Sequence, residues 1–168
     1  VPGDVLLMML DDFFLNQRVD QAAVRDAVAR FRALSGRYLG IDRFNKQGTP
    51  LGGSTWHALL PEPPCVGLNA TIWSAAHLRE VVNSPGMNIW QAENRAKQLA
   101  REDQSGHFYI GPEGSALMTY QESIKGLFWK PSTLEFFKRE KVPQSLSPRP
   151  CPPQGQDFIS KLIRSWQK

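Results

Sequence analysis

The sequence predicts an α/β fold on three observations. Val5-Leu6-Leu7-Met8-Met9-Leu10 is an unbroken apolar run that stops at two adjacent carboxylates, Asp11 and Asp12. A run without polar alternation fits a strand covered on both faces, as in parallel α/β sheets, whose ligands bind outside the carboxyl ends of the strands. A helix-period segment and a second strand-like run follow. Together they complete a strand-helix-strand unit in which a right-handed parallel crossover is expected. Strand-like and helical segments then alternate along most of the remaining chain.

Taken in order, the first strand must end at the acids. Neighbouring residues on a strand point to opposite faces, so Asp11 and Asp12 serve one site only if the chain turns there. Phe13 and Phe14 are expected to pack beneath that turn. Asp20 is a suitable N-cap for a first helix, in which Val24, Ala27, Val28, Phe31 and Leu34 recur at helical spacing. Gly36 reads as its C-terminal stop. Residues 37–44 read as the next strand. Residues 45–64, with Gly48, Gly52, Gly53, Pro50, Pro61, Pro63 and Pro64, read as a long loop.

Residues 67–73 read as a strand running into a helix over 74–82, capped by Ser74. Asn88 caps a third helix reaching about residue 101, with Ile89, Ala92, Ala96, Leu99 and Ala100 on one face. Trp90 and Glu93, three apart, share a face of it. Strands are expected at 107–110 and around 117–120, and a helix over 132–141. Residues 143–155 form a proline-rich connector, and residues 156–168 an amphipathic helix with Phe158, Leu162, Ile163 and Trp166 inward. Residues 1–142 are read as one domain.

Composition narrows the function classes. A chain of 168 residues that is 41% hydrophobic and 21% charged can bury a core and is not of disordered type. No apolar run approaches the roughly 18 residues of a membrane-spanning helix. The net charge of +4 and pI near 9.3 suit an anionic small molecule. The basic residues are scattered, without a zinc cluster or RNA-binding motif, so nucleic acid is not expected. Cys65 and Cys151, far apart in sequence, look like isolated thiols of a reduced compartment. A cytoplasmic protein without a signal peptide is expected. Because the chain enters a core strand almost at once, it is also expected to be the C-terminal portion of a longer protein.

Two adjacent carboxylates are hard oxygen ligands, suited to magnesium or manganese that also binds substrate phosphate. Paired acids are equally common in turns and helix caps. His57, His77 and His107 have no metal-ligand spacing. His77 in a helix and His107 at a strand start read as structural, and His57 lies in the long loop, where it could approach a phosphate. Trp73 reads as core.

Four blocks hold their order and spacing: Leu-Leu-Met-Met-Leu-Asp-Asp-Phe-Phe-Leu, Gly-Leu-Asn-Ala-Thr-Ile-Trp-Ser-Ala-Ala-His-Leu, Asn-Ile-Trp-Gln-Ala-Glu and Lys-Gly-Leu-Phe-Trp-Lys. Over residues 4–131 the chain resembles a family of bacterial glycosyltransferase-like proteins with a GT-A-type nucleotide-sugar transferase fold. The resemblance implies a mixed sheet flanked by helices, incomplete at the N-terminus, since that fold holds its nucleotide largely with segments preceding the acidic motif. It implies a nucleotide-diphosphate sugar donor, a glycan acceptor hydroxyl and Mn2+ or Mg2+ held by Asp12 and Asp11, with Asp11 also facing the ribose. The usual Asp-x-Asp is contracted here to Asp-Asp. Glu93 matches a Trp-x-x-Glu block near the sugar site and takes the role of catalytic base, with Trp90 stacking on a sugar ring. Asn69 is assigned to the acceptor, and Gly126 and Trp129 to a closing block that covers the ligand.

The same residues have plainer uses. A Trp and a Glu at helical spacing serve as a core anchor and a solvated acid, and Gly126 and Trp129 as a turn glycine and a packed aromatic. The second reading is therefore a truncated, non-catalytic module that binds a protein or glycan. Its exposed first-strand edge would invite self-association or a partner chain. A third, a phosphohydrolase with Asp11 as nucleophile, lacks the motif such enzymes carry.

Overall fold

A computed structural model describes residues 3–41, 47–60, 66–111, 117–125 and 128–142. Its elements are β1 (Val5–Met8), β2 (Phe13–Leu15), α1 (Gln21–Ala33), β3 (Tyr38–Gly40), β4 (Gly48–Pro50), β5 (Trp56–Leu59), β6 (Thr71–Ser74) and α2 (Ala75–Val81). They continue with α3 (Ile89–Glu102), β7 (His107–Ile110), β8 (Tyr120–Glu122), β9 (Ile124–Lys125), β10 (Phe128–Trp129) and α4 (Pro131–Arg139). The described residues fall in two compact units, one drawn from residues 1–10 and 17–119, the other from 11–16 and 120–168. Cys65, Cys151, Gly126, the 143–155 connector and the 156–168 helix lie outside the described residues. Among the described residues, no helix is long and apolar enough to cross a membrane.

The first unit is built on a six-stranded mixed sheet in the order β1-β6-β3-β7-β5-β4. This makes the protein an α/β protein. Two expectations about β1 need correction. It pairs antiparallel with β6, Val5 opposite Ser74 and Met8 opposite Thr71, and it lies at the sheet edge with Leu7 49% exposed. An apolar run sets neither the direction of the neighbouring strand nor whether both faces are covered. β1 and β3 do run parallel to each other, since both are antiparallel to β6, which is inserted between them. The parallel pair with direct hydrogen bonds is β3 with β7, Tyr38 beside His107.

Residues 47–60, the described part of the expected 45–64 loop, also depart from that expectation. Gly52 and Gly53, both at positive φ, turn the chain so that β4 and β5 pair antiparallel, Gly48 opposite Leu59. Gly48 is a glycine because of close approach: a Cβ there would lie 2.2 Å from the Ala58 carbonyl oxygen. His57 is consequently a sheet residue, buried and stacked on Tyr109 at 4.8 Å, which removes it from the role of a loop residue reaching for phosphate.

The helices follow their local chemistry. The Asp20 carboxylate accepts from the Ala22 and Ala23 amides at 2.9 and 3.1 Å, Ser74 Oγ accepts from His77 N, and Asn88 with Gln91 forms a reciprocal capping box on α3. Gly36 is not the left-handed stop of α1; that residue is Ser35, at φ 52°. Gly36 instead lets the Phe31 ring close over the backbone, since a Cβ would sit 2.3 Å from it. The core of this unit gathers Tyr38, Leu68, Trp73, Val81 and Tyr109 around the buried alanine stripe Ala92, Ala96 and Ala100 of α3. Small residues at four-residue spacing let the helix lie close against its neighbours.

The second unit has two antiparallel pairs, β2 with β8 and β9 with β10, and the helix α4. Pro131 at the first position of α4 supplies the fixed φ favoured there. Phe14, Trp129, Phe136 and Phe137 form its aromatic core.

Candidate functional site

In the second unit the chain turns at Asp11-Asp12, as the strand argument requires, with Asp11 exposed and Asp12 half-buried. The turn is pinned by backbone, because the Asp12 carbonyl accepts from the Ser123 amide at 2.8 Å. Phe13 meets Tyr120 edge-on at 5.0 Å and Phe14 meets Phe137 edge-on at 5.2 Å, so the aromatic pair anchors the turn. Trp129 lies in the same core, 5.1 Å from Phe137 and nearly inaccessible. Its ring is a packing element in this unit, the plainer of the two uses named above.

In the first unit the N-terminal turn of α3 presents Trp90, which is 72% exposed. One turn further, Glu93 is half-buried and its Oε1 accepts from the Leu68 backbone amide at 3.2 Å. The neighbouring Gly67 amide donates to the Tyr38 hydroxyl at 3.3 Å. Thr71 Oγ1 donates to the Asn69 carbonyl at 3.0 Å and accepts from Trp73 Nε1 at 2.7 Å. The irregular segment leading into β6 therefore has its backbone groups held by Glu93, Tyr38 and Thr71. A charge-assisted bond of this kind fixes where the carboxylate sits.

Sheet register relates this segment to the end of β1. Met8 lies beside Thr71, Thr71 beside Gly40, Gly40 beside Tyr109 and Tyr109 beside His57. The segment gripped by Glu93 enters β6 at the sheet end where β1 finishes.

The donor set limits the metal chemistry. Among the described residues, no group of three or more His, Cys, Asp or Glu side chains is arranged to hold a metal ion. Two carboxylates alone would suit only a cation that brings its own phosphate and water ligands, as magnesium commonly does, and not an all-protein cage.

Sequence reasoning missed one arrangement. His77 and His107, thirty residues apart, meet with their Nε2 atoms at 3.1 Å. Neither spacing nor periodicity signals such a contact. Comparison with protein-family models, curated proteins and solved structures finds no match to this chain.

Proposed function

We propose that the chain is a GT-A-like glycosyltransferase domain that moves a sugar from a nucleotide-diphosphate donor to a glycan hydroxyl, in bacterial surface glycan synthesis. The observation that carries this reading is the Glu93 carboxylate fixed on the Leu68 amide, where the irregular segment enters β6 at one end of the sheet. Strand ends of this kind are where α/β proteins place their ligands. The four sequence blocks add the sugar-transfer chemistry.

In this reading Asp12, with Asp11, holds Mn2+ or Mg2+, which when bound neutralises the leaving diphosphate. Trp90 offers an exposed ring face for a sugar, and Asn69 lies in the segment assigned to the acceptor. The new bond joins the acceptor oxygen to the anomeric carbon, the bond to the diphosphate breaks, and the acceptor proton passes to Glu93. With Oε1 on the Leu68 amide, the carboxylate is oriented before substrate arrives.

The second reading, a binding module without turnover, draws support from the same hydrogen bond, because Glu93 also has a structural use. Titration calorimetry with uridine and guanosine diphosphates, with and without Mn2+, separates the two. The transferase reading expects metal-dependent binding that weakens at least about tenfold, or about 1.4 kcal/mol, in Asp12→Ala. Heat on adding glycan alone, with neither diphosphate bound, supports the module.

A further inference from the structure

α2 and β7 meet through two imidazoles in the first unit. His77 is 3% exposed and His107 1%. His107 Nδ1 lies 3.1 Å from the Ser105 carbonyl oxygen, which only accepts, so Nδ1 carries a proton. In a neutral His107 ring, Nε2 is then a lone pair. That lone pair faces His77 Nε2 at 3.1 Å, and His77 Nδ1 in turn lies 3.0 Å from Glu80 Oε2.

With His107 neutral, proton counting across this chain allows two placements. If Glu80 is ionised, His77 must donate from both nitrogens and is an imidazolium. If Glu80 is protonated, it donates to Nδ1 while His77 Nε2–H donates to His107. Either way the contacts close only with one proton more than two neutral rings and a carboxylate contain. We infer that Glu80, His77 and His107 share a single additional proton in the native protein, and that its loss unlatches Glu80 from His77.

Glu80 is the partner that leaves because its side chain is 61% exposed, whereas both rings are enclosed. A neutral His77 keeps its proton on Nε2, toward His107, and turns a bare Nδ1 to the carboxylate. The carboxylate then moves into water. The charged groups around the pair are Glu80 on α2, Arg37 ahead of β3, and Asp103 at the end of α3, which pairs with Arg37 at 2.7 Å. Tyr38 of β3 and Trp73 of β6 stack on the rings without adding charge. Burial first, and the neighbouring His77 second, hold His107 down to about 4, so His107 is the neutral ring of the pair above that pH.

Stabilisation from burying a neutral His107 is complete above the ordinary imidazole value of about 6.5 and is lost as pH falls through about 4. α2 packs on α3, so the latch lies next to the helix that carries Glu93.

Ring 15N NMR of the full chain from pH 5 to 9, on wild type and Glu80→Gln, tests this. At pH 6 the wild type should show His77 protonated on both nitrogens, or on Nε2 beside a protonated Glu80, with His107 neutral and protonated on Nδ1. One coupled transition should follow as pH rises. In Glu80→Gln the amide N–H can donate to Nδ1, so His77 should remain the neutral Nε2–H form and the transition should vanish. Identical His77 titration in the two proteins, or two rings titrating independently in the wild type, would overturn the inference. The exposure of position 80 keeps the variant folded, and a retained amide spectrum verifies it.

Discussion

Replacing Trp73 with alanine is expected to lower the unfolding free energy by about 3–5 kcal/mol, the range for a fully buried large aromatic. Trp73 has no exposed surface and sits on β6, the strand that joins β1 to β3. Its ring meets Tyr38 edge-on at 4.9 Å and stacks on His77 at 5.7 Å, while Nε1 donates to the buried Thr71 hydroxyl. Domains of this size commonly have only about 5–15 kcal/mol in total, so this one change removes a large share. Trp73→Phe keeps most of the buried ring and loses the hydrogen bond, for which about 1–2 kcal/mol is expected. Urea unfolding of the three proteins checks the order. Similar midpoints for wild type and Trp73→Ala would mean that the Trp73 ring is not enclosed between β6, β3 and α2.

Glu93→Gln should lower turnover by about 10²–10⁴, the usual contribution of a positioned general base. It should leave folding nearly intact, because the Gln oxygen can still accept from the Leu68 amide at the distance Glu93 Oε1 now occupies. Glu93→Ala removes base and acceptor together. Its further expected cost is about 1–3 kcal/mol of stability, from leaving the amide of a buried residue without its partner. Donor turnover, measured beside unfolding midpoints, separates the roles. A Gln variant as active as wild type leaves Glu93 a purely structural residue.

The parts of this fold that could be read from sequence are the local ones. Asp20, Ser74 and Asn88 cap α1, α2 and α3 where they were expected, because capping uses donors two or three residues away. The turn at Asp11-Asp12 was the condition that strand geometry set for two adjacent acids to share a site, and the chain does turn there. Strand order did not, because β6 reaches its place between β1 and β3 from thirty residues further along the chain, and nothing in either apolar run encodes that pairing. The β4–β5 hairpin was obscured by reading its glycines and prolines as a loop. Gly52-Gly53 ahead of Trp56-His57-Ala58-Leu59 was the available hairpin signal.

The candidate site divides the same way. Trp90 and Glu93 were legible as helix neighbours, whereas the grip of Glu93 on Leu68 spans twenty-five residues and is a tertiary fact. Trp129 shows the limit of reading aromatics: composition cannot distinguish a ring that covers a ligand from one packed between Phe14 and Phe137.

The central proposal is that the Asp11-Asp12 turn holds the cation of a bound nucleoside diphosphate. Paramagnetic broadening by Mn2+, with and without a nucleoside diphosphate, tests it most directly, read on the amides of Phe13 and Ser123, the latter bonded to the Asp12 carbonyl. The proposal predicts selective loss of those signals in wild type when the diphosphate is present and their survival in Asp12→Ala. Broadening that ignores the diphosphate, or is unchanged by the substitution, would contradict it.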